Sequence, residues 1–199
     1  MSGSKRLILA SASPRRQSLL REAGYAFAIH PANVDEENHP PGLAPERLAE
    51  YLAVAKAEAI AKDHPGDVTL GADTVVALGD VLLGKPVDEI DARQMLSKLS
   101  GTTHRVMTGV AVICPAAGFH RSLAITSTVR MRELSIDEID RYVAGRQWEG
   151  KAGGYGIQDQ DPFVTNMGGS LTNIVGLPME ATRELLSAAG IFSEKAIEV

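Results

Sequence analysis

Leu7-Ile8-Leu9-Ala10-Ser11-Ala12-Ser13-Pro14-Arg15-Arg16 is the stretch from which the fold unrolls. Its first half is a short aliphatic run and reads as a buried strand. Its second half opens a helical pattern that continues through Gln17 to Ala23. Proline suits the first turn of a helix, where a missing N–H costs nothing, and Ser13 before it is a candidate N-cap. A strand that passes directly into a helix gathers Ser11, Ser13, Arg15 and Arg16 around a helix N-terminus. Unpaired backbone N–H groups and the positive end of the helix dipole point the same way. This suits an anion with several oxygens, most simply a phosphate or polyphosphate. Arginines solvated on the first turn are the plainer alternative.

Working outward, Tyr25 to Pro31 reads as a short strand, and Asn33 to Gly42 as a polar loop carrying Asp35-Glu36-Glu37. Ala44 to Asp63 is a long helix with Ala49, Leu52, Ala53, Lys56 and Ile60 on one face. Val68 to Leu78 is a strand, and Gly79-Asp80 turns it into Val81-Leu82-Leu83. A helix from Asp91 to Leu99 is followed by a β-rich run, Thr103 to Cys114, and a second one, roughly Phe119 to Arg132. Ser135 and Glu138 form a capping box for a helix ending near Gly145. A last strand spans about Phe163 to Met167, and a last helix Pro178 to Ala189. Hairpins and helices alternate, so the expected class is α/β, a mixed sheet with mostly antiparallel content flanked by helices.

The chain has 199 residues, 44% hydrophobic and 23% charged, with a formal net charge of -5. That is an ordinary globular balance, enough for one domain with a sizeable core. No run of lysine or arginine argues for nucleic acid, and no apolar stretch reaches membrane-spanning length. The apolar segment after Lys5-Arg6 is too short for a signal peptide. Cys114 is the single cysteine, set in an apolar run, and reads as a buried thiol. The five histidines show no zinc spacing. These features are compatible with the cytoplasm.

Several residues carry chemistry. Asp73, in Gly71-Ala72-Asp73-Thr74, lies inside a strand pattern, where aspartate is disfavoured unless it has partners. Gly71 beside it suggests a close backbone approach. Gly79-x-x-x-x-Gly84-Lys85 fails as a P-loop, because Pro86 replaces the magnesium-binding hydroxyl and the preceding residues read as a hairpin. Lys85 remains either a turn lysine or a fixed cation for phosphate. Lys56 falls inside an apolar stripe and either snorkels to solvent or reaches into a cleft. A carboxylate of the Asp35-Glu36-Glu37 triplet could join Asp73 around a divalent ion, since magnesium takes one or two carboxylates plus substrate phosphates. After Gly150-Lys151-Ala152-Gly153-Gly154-Tyr155-Gly156, Gln158 offers a donor and an acceptor together, as the edge of a nucleobase requires.

Taken together, these segments resemble the Maf family of nucleotide pyrophosphatases. The matching residues are Ser11 to Arg16, Glu36, Lys56, Gly71-Ala72-Asp73-Thr74, Gly84-Lys85-Pro86, Ser100-Gly101 with His104 and Thr108-Gly109, Lys151 to Gln158, and Asn173 to Pro178. They occur in family order across nearly the whole chain. The resemblance implies one domain over residues 1–199, of Maf/ITPase-like fold, with two lobes around a nucleotide cleft. It implies a cytoplasmic, metal-dependent homodimer that hydrolyses a nucleoside triphosphate to the monophosphate and pyrophosphate. Asp73 then matches the proton acceptor, with Glu36, Lys56 and Lys85 as further catalytic residues. Glu36 and Asp73 would hold Mg²⁺ or Mn²⁺. Ser11, Ser13, Arg15, Arg16, Thr74 and Gln158 would bind substrate. Arg15, Thr74 and Gln158 together look like the dTTP/UTP branch. The alternatives are a 7-methyl-GTP pyrophosphatase and a nucleotide-sensing regulator of cell division without turnover. One departure from the family pattern is Asp159, where a glycine is expected after the glutamine.

Overall fold

A computed structural model describes residues 5–159 and 163–194. In chain order the elements are β1 (Leu7–Leu9), α1 (Pro14–Glu22), β2 (Ala28–Ile29), α2 (Pro45–Ala61), β3 (Val68–Leu78), β4 (Val81–Leu83), α3 (Glu89–Leu99), β5 (Thr103–Cys114), β6 (Phe119–Met131), α4 (Ile136–Ala144), β7 (Val164–Gly168), α5 (Leu171–Val175) and α6 (Met179–Ala188). β3 and β5 have the bounds read from the sequence, and the Ser135–Glu138 capping box is present. Several local readings differ, α2 ending at Ala61 and not Asp63 among them, and four have an identifiable cause. The strand expected over Tyr25 to Pro31 shrinks to Ala28–Ile29, because Tyr25 turns into the core. α3 starts two residues early, since Asp88 caps it by accepting from the Asp91 N–H. Ser13 stands at the N-cap of α1, but its side chain caps nothing. Instead its backbone N–H donates to Ser11 Oγ at 3.2 Å. The short helix α5, capped by Ser170, was not read at all.

The sheet is mixed. Its order is β2-β1-β3-β5-β6-β7, with β4 also on β3. β2–β1 and β1–β3 are parallel, and all other pairs are antiparallel. The pairing of β3 locates the site. One edge is zipped to β5 from Thr69 to Ala77. The other edge pairs with β1 at Val68 to Leu70 and with β4 at Val76 to Leu78. Between these partners, Gly71 to Val75 face no strand on that edge among the described residues. There β1 ends and the chain departs through Ser11 into α1. A crevice beyond the carboxyl end of a parallel strand, where neighbours diverge, is where α/β sheets bind ligands.

α2 covers one face of the sheet at short range. A Cβ on Gly71 would collide with the Ala53 carbonyl and Ala57, and one on Gly109 with the Ala49 carbonyl. The close approach foreseen at Gly71 is therefore to a helix, through a ridge of alanines meeting two neighbouring glycines. Adding a methyl group at either glycine would force the helix outward, a strain of about 1–3 kcal/mol. This contact sets the height of Lys56 above the sheet. Cys114 is buried in the core that α1, α6 and β1 share with the first half of β3. Among the described residues no helix is long and apolar enough to cross a membrane.

Candidate active site

The residues assigned catalytic, metal-binding and substrate-binding roles from the sequence all line one cleft of about 610 Å³ at the gap in β3, within the range of small-molecule sites. Successive strand residues point to opposite faces. Asp73 therefore shares Gly71's face, toward α2, while Thr74 looks the other way. On the α2 side Lys56 Nζ donates to Asp73 Oδ1 at 2.5 Å and to Glu36 Oε1 at 2.7 Å. Lys56 and Asp73 are both buried, so the lysine reaches inward and does not snorkel. Lys85, half exposed after the β4 turn, holds Glu36 from outside at 3.2 Å. Burial raises the Glu36 carboxyl, but Lys56 and Lys85 outweigh it and keep it below its ordinary value.

On the opposite face Arg16 is woven into the protein. Its Nε donates to the Gly176 carbonyl, Nη1 to Ser11 Oγ and Nη2 to Thr74 Oγ1. Two of its five N–H groups remain for a ligand. The direction of the protons follows. Thr108 Oγ1 donates to the Asn173 carbonyl at 2.9 Å, so its single proton is used. Thr74, 3.0 Å from Thr108 Oγ1, must donate to it. Thr74 thus turns its O–H away from Arg16 and accepts from the guanidinium. Thr108, and Asn173 at the first turn of α5, support this arrangement from behind, and nothing in their local sequence marks that role. Burial lowers the pKa of both Arg15 and Arg16, yet guanidinium remains charged.

The glycine-rich segment forms the far wall. Arg15 Nη2 donates to the Gly150 carbonyl at 3.4 Å, spanning the cleft from α1. Gln158 is exposed to the cleft, and among the described residues its amide has no protein partner. Asp159 also lines the cleft, bound to Lys151 and to Tyr142 of α4. Nothing in the sequence pointed to Tyr142.

The carboxylates of Glu36 and Asp73 converge on one small cationic centre, the Lys56 ammonium. Among the described residues no cluster of three or more His, Cys, Asp and Glu could hold a metal by itself. Two carboxylates in reach of a phosphate site match magnesium's preference for a few protein oxygens plus substrate oxygens. These residues fit an ion that enters with a phosphorylated ligand.

Comparison with known proteins places the chain through a family model and curated relatives. A HAM1 protein structure from Coxiella burnetii superposes with a TM-score of 0.47 at 14% identity, covering 64% of this chain and 73% of that one. The dTTP/UTP pyrophosphatase of Rhodopseudomonas palustris (strain HaA2) is 46% identical over 198 residues, covering 96% of this chain and 95% of its own. The dTTP/UTP pyrophosphatase of Hyphomonas neptunium is 46% identical over 192 residues, covering 96% and 98%. The family model described as Maf-like protein matches residues 6–189, and with that span and those relatives the chain belongs to the Maf-like family.

Proposed function

We propose that this chain is a nucleoside triphosphate pyrophosphatase that hydrolyses dTTP and UTP to the monophosphate and pyrophosphate. The observation that carries this reading is the meeting, in one cleft, of the helix N-terminus at Ser11–Arg16, the Lys56–Asp73–Glu36–Lys85 cluster and the unpaired amide of Gln158. The relatives bearing that activity in their names match nearly end to end.

In this reading the triphosphate lies along the start of α1. Backbone N–H groups, Ser11, Ser13, Arg15 and the free donors of Arg16 take its oxygens. Lys56 and Lys85 shift part of their charge from Glu36 to phosphate. Asp73 orients the attacking water and accepts its proton as the new bond to the α-phosphorus forms. The bond from that phosphorus to the bridging oxygen breaks, and pyrophosphate leaves with the oxygen. Glu36 and Asp73 would hold Mg²⁺ or Mn²⁺, which supplies charge neutralisation to the phosphates. Gln158 meets the base. A cytoplasmic setting and a homodimer belong to the same reading through the family likeness. Light scattering on the purified chain tests the dimer.

The deciding experiment incubates purified protein with dTTP, UTP, CTP, GTP and 7-methyl-GTP in Mg²⁺ or Mn²⁺ and resolves pyrophosphate from orthophosphate. Pyrophosphate from dTTP and UTP, abolished by excess EDTA, is expected. Release of orthophosphate alone, or activity unaffected by EDTA, refutes the proposal.

A further inference from the structure

Asp159 is the centre of a closed knot behind Gln158. Its Oδ1 accepts from Lys151 Nζ, and its Oδ2 accepts from Tyr142 Oη and, at 2.9 Å, from the Gly156 N–H. The Asp159 N–H in turn donates to the Gly156 carbonyl at 3.3 Å. The turn Gly156-Ile157-Gln158-Asp159 is thus tied at both ends, by backbone and by side chain, with Gln158 at its third position. The knot closes over residue 156, where a Cβ would lie 2.8 Å from Asp159 Oδ1 and 2.9 Å from Lys151 Nζ and would push these side-chain ends apart. The Lys151 and Asp159 side chains are only 14% and 13% exposed, so this pair is shielded from screening, unlike a surface ion pair. Burial and the Asp159 carboxylate together raise the Tyr142 phenol, which stays protonated and keeps donating.

Three donors, one of them the Lys151 ammonium, hold this carboxylate in a single pose against the turn. Its effect is mechanical: it fixes the turn whose free amide faces the cleft. We propose that Asp159, clamped by Lys151 and Tyr142, is a positioning residue that aims the Gln158 amide and so sets which base the cleft accepts. This rests on the proposed pyrophosphatase reading. A glutamine on a loose turn could still pair with a base, but it would first have to give up the freedom of the loop, a loss that falls on the bases that use its amide. A glutamine held in one pose favours the base edge that matches it.

Two variants separate aim from fold. Asp159→Ala removes all three acceptor contacts, while Asp159→Asn keeps the shape and one acceptor oxygen. kcat and KM are measured for dTTP, UTP, CTP and GTP in wild type and both variants. Asp159→Ala should raise KM for dTTP and UTP by about tenfold or more, with a smaller rise for CTP and GTP, so that selectivity flattens. Asp159→Asn should fall between Asp159→Ala and wild type. An equal loss for all four nucleotides in the well-folded Asp159→Asn protein would overturn the proposal, since that is what a purely structural role gives. A readout independent of turnover comes from Trp148, the single tryptophan, which is buried and whose carbonyl accepts from the Lys151 N–H. Its emission should shift to the red, and amides 151–159 should exchange faster, in Asp159→Ala. Unchanged emission and exchange would overturn the clamp. A wild-type protein that releases no pyrophosphate would sink the pyrophosphatase reading, while these two signals still decide whether the clamp exists.

Discussion

Lys56 and Asp73 form a buried ion pair across the gap in the sheet, with Nζ 2.5 Å from Oδ1 and both side chains less than a tenth exposed. The pair exists because α2 is pressed onto Gly71 and Gly109, which brings the lysine of an alanine ridge directly over a strand aspartate. Neither charge could be buried here without the other. Glu36 completes the group from a loop and leaves the ammonium between two carboxylates.

Asp73→Asn should preserve the fold and remove most turnover. The amide is nearly isosteric and still offers an oxygen to Lys56, which also keeps Glu36. What disappears is the proton acceptor and one charge of the ion site. Loss of a general base alone amounts to roughly 10²–10⁴-fold. Steady-state kcat of the purified variant is the check, and retention of more than about a tenth of wild-type kcat would remove Asp73 from that role.

The two lysines should part company in stability. Lys85 is half exposed and, among the described residues, pairs with the rim of Glu36 alone, so Lys85→Met should shift stability by less than about 1 kcal/mol while raising KM. Lys56→Met strips Asp73 of its partner inside the protein. Breaking a buried pair from one side costs about 3–5 kcal/mol, so its melting temperature should fall clearly. Thermal melts of both proteins side by side decide it. Equal melting temperatures would mean the Lys56 ammonium adds nothing to the folded state.

Much of this was legible in the chain, for identifiable reasons. β3 and β5 are long, apolar and bounded by turn residues, so periodicity gives their limits. The Asp73 anomaly stood out because aspartate within a strand demands partners. The Ser13 cap was misread because Ser11, two residues earlier, takes the N–H and faces Arg16, a competition that only the path of the chain reveals. α5 escaped notice because five residues carry no helical period. The bond between Tyr142 and Asp159 joins α4 to the glycine-rich loop and has no local signature.

Acid should weaken the protein through His104. This ring is buried, donating to or accepting from the Tyr155 hydroxyl through Nε2, with no partner at Nδ1 among the described residues. Burial lowers its pKa to about 4, against about 6.5 in the unfolded chain. Between those values the unfolded state binds a proton that the folded state refuses. Stability is therefore complete above pH 6.5 and is lost as pH falls toward 4, by up to about 3 kcal/mol. The double variant His104→Phe with Tyr155→Phe replaces both partners with similar apolar shapes, a change that can be nearly neutral in itself. Urea midpoints from pH 7 to pH 4 should decline less steeply in the double variant. Parallel declines would assign the acid sensitivity to the carboxylates instead.

The base-reading role of Gln158 has its own test. The amide is exposed to the cleft, unpartnered among the described residues, and carried on a turn tied at both ends by Asp159. A pyrimidine such as thymine or uracil presents a carbonyl and a ring N–H on one edge, and a single amide can pair with both. Gln158→Glu keeps the size but removes the donor, so a base carbonyl would face a carboxylate. An unmet polar group buried in a complex costs about 1–3 kcal/mol, hence roughly ten- to a hundred-fold in kcat/KM for dTTP and UTP. Substrates that do not use that edge should lose less. Measuring kcat/KM for dTTP, UTP, CTP and GTP in both proteins gives the answer. A uniform drop across the four would show that Gln158 supports the loop without reading the base.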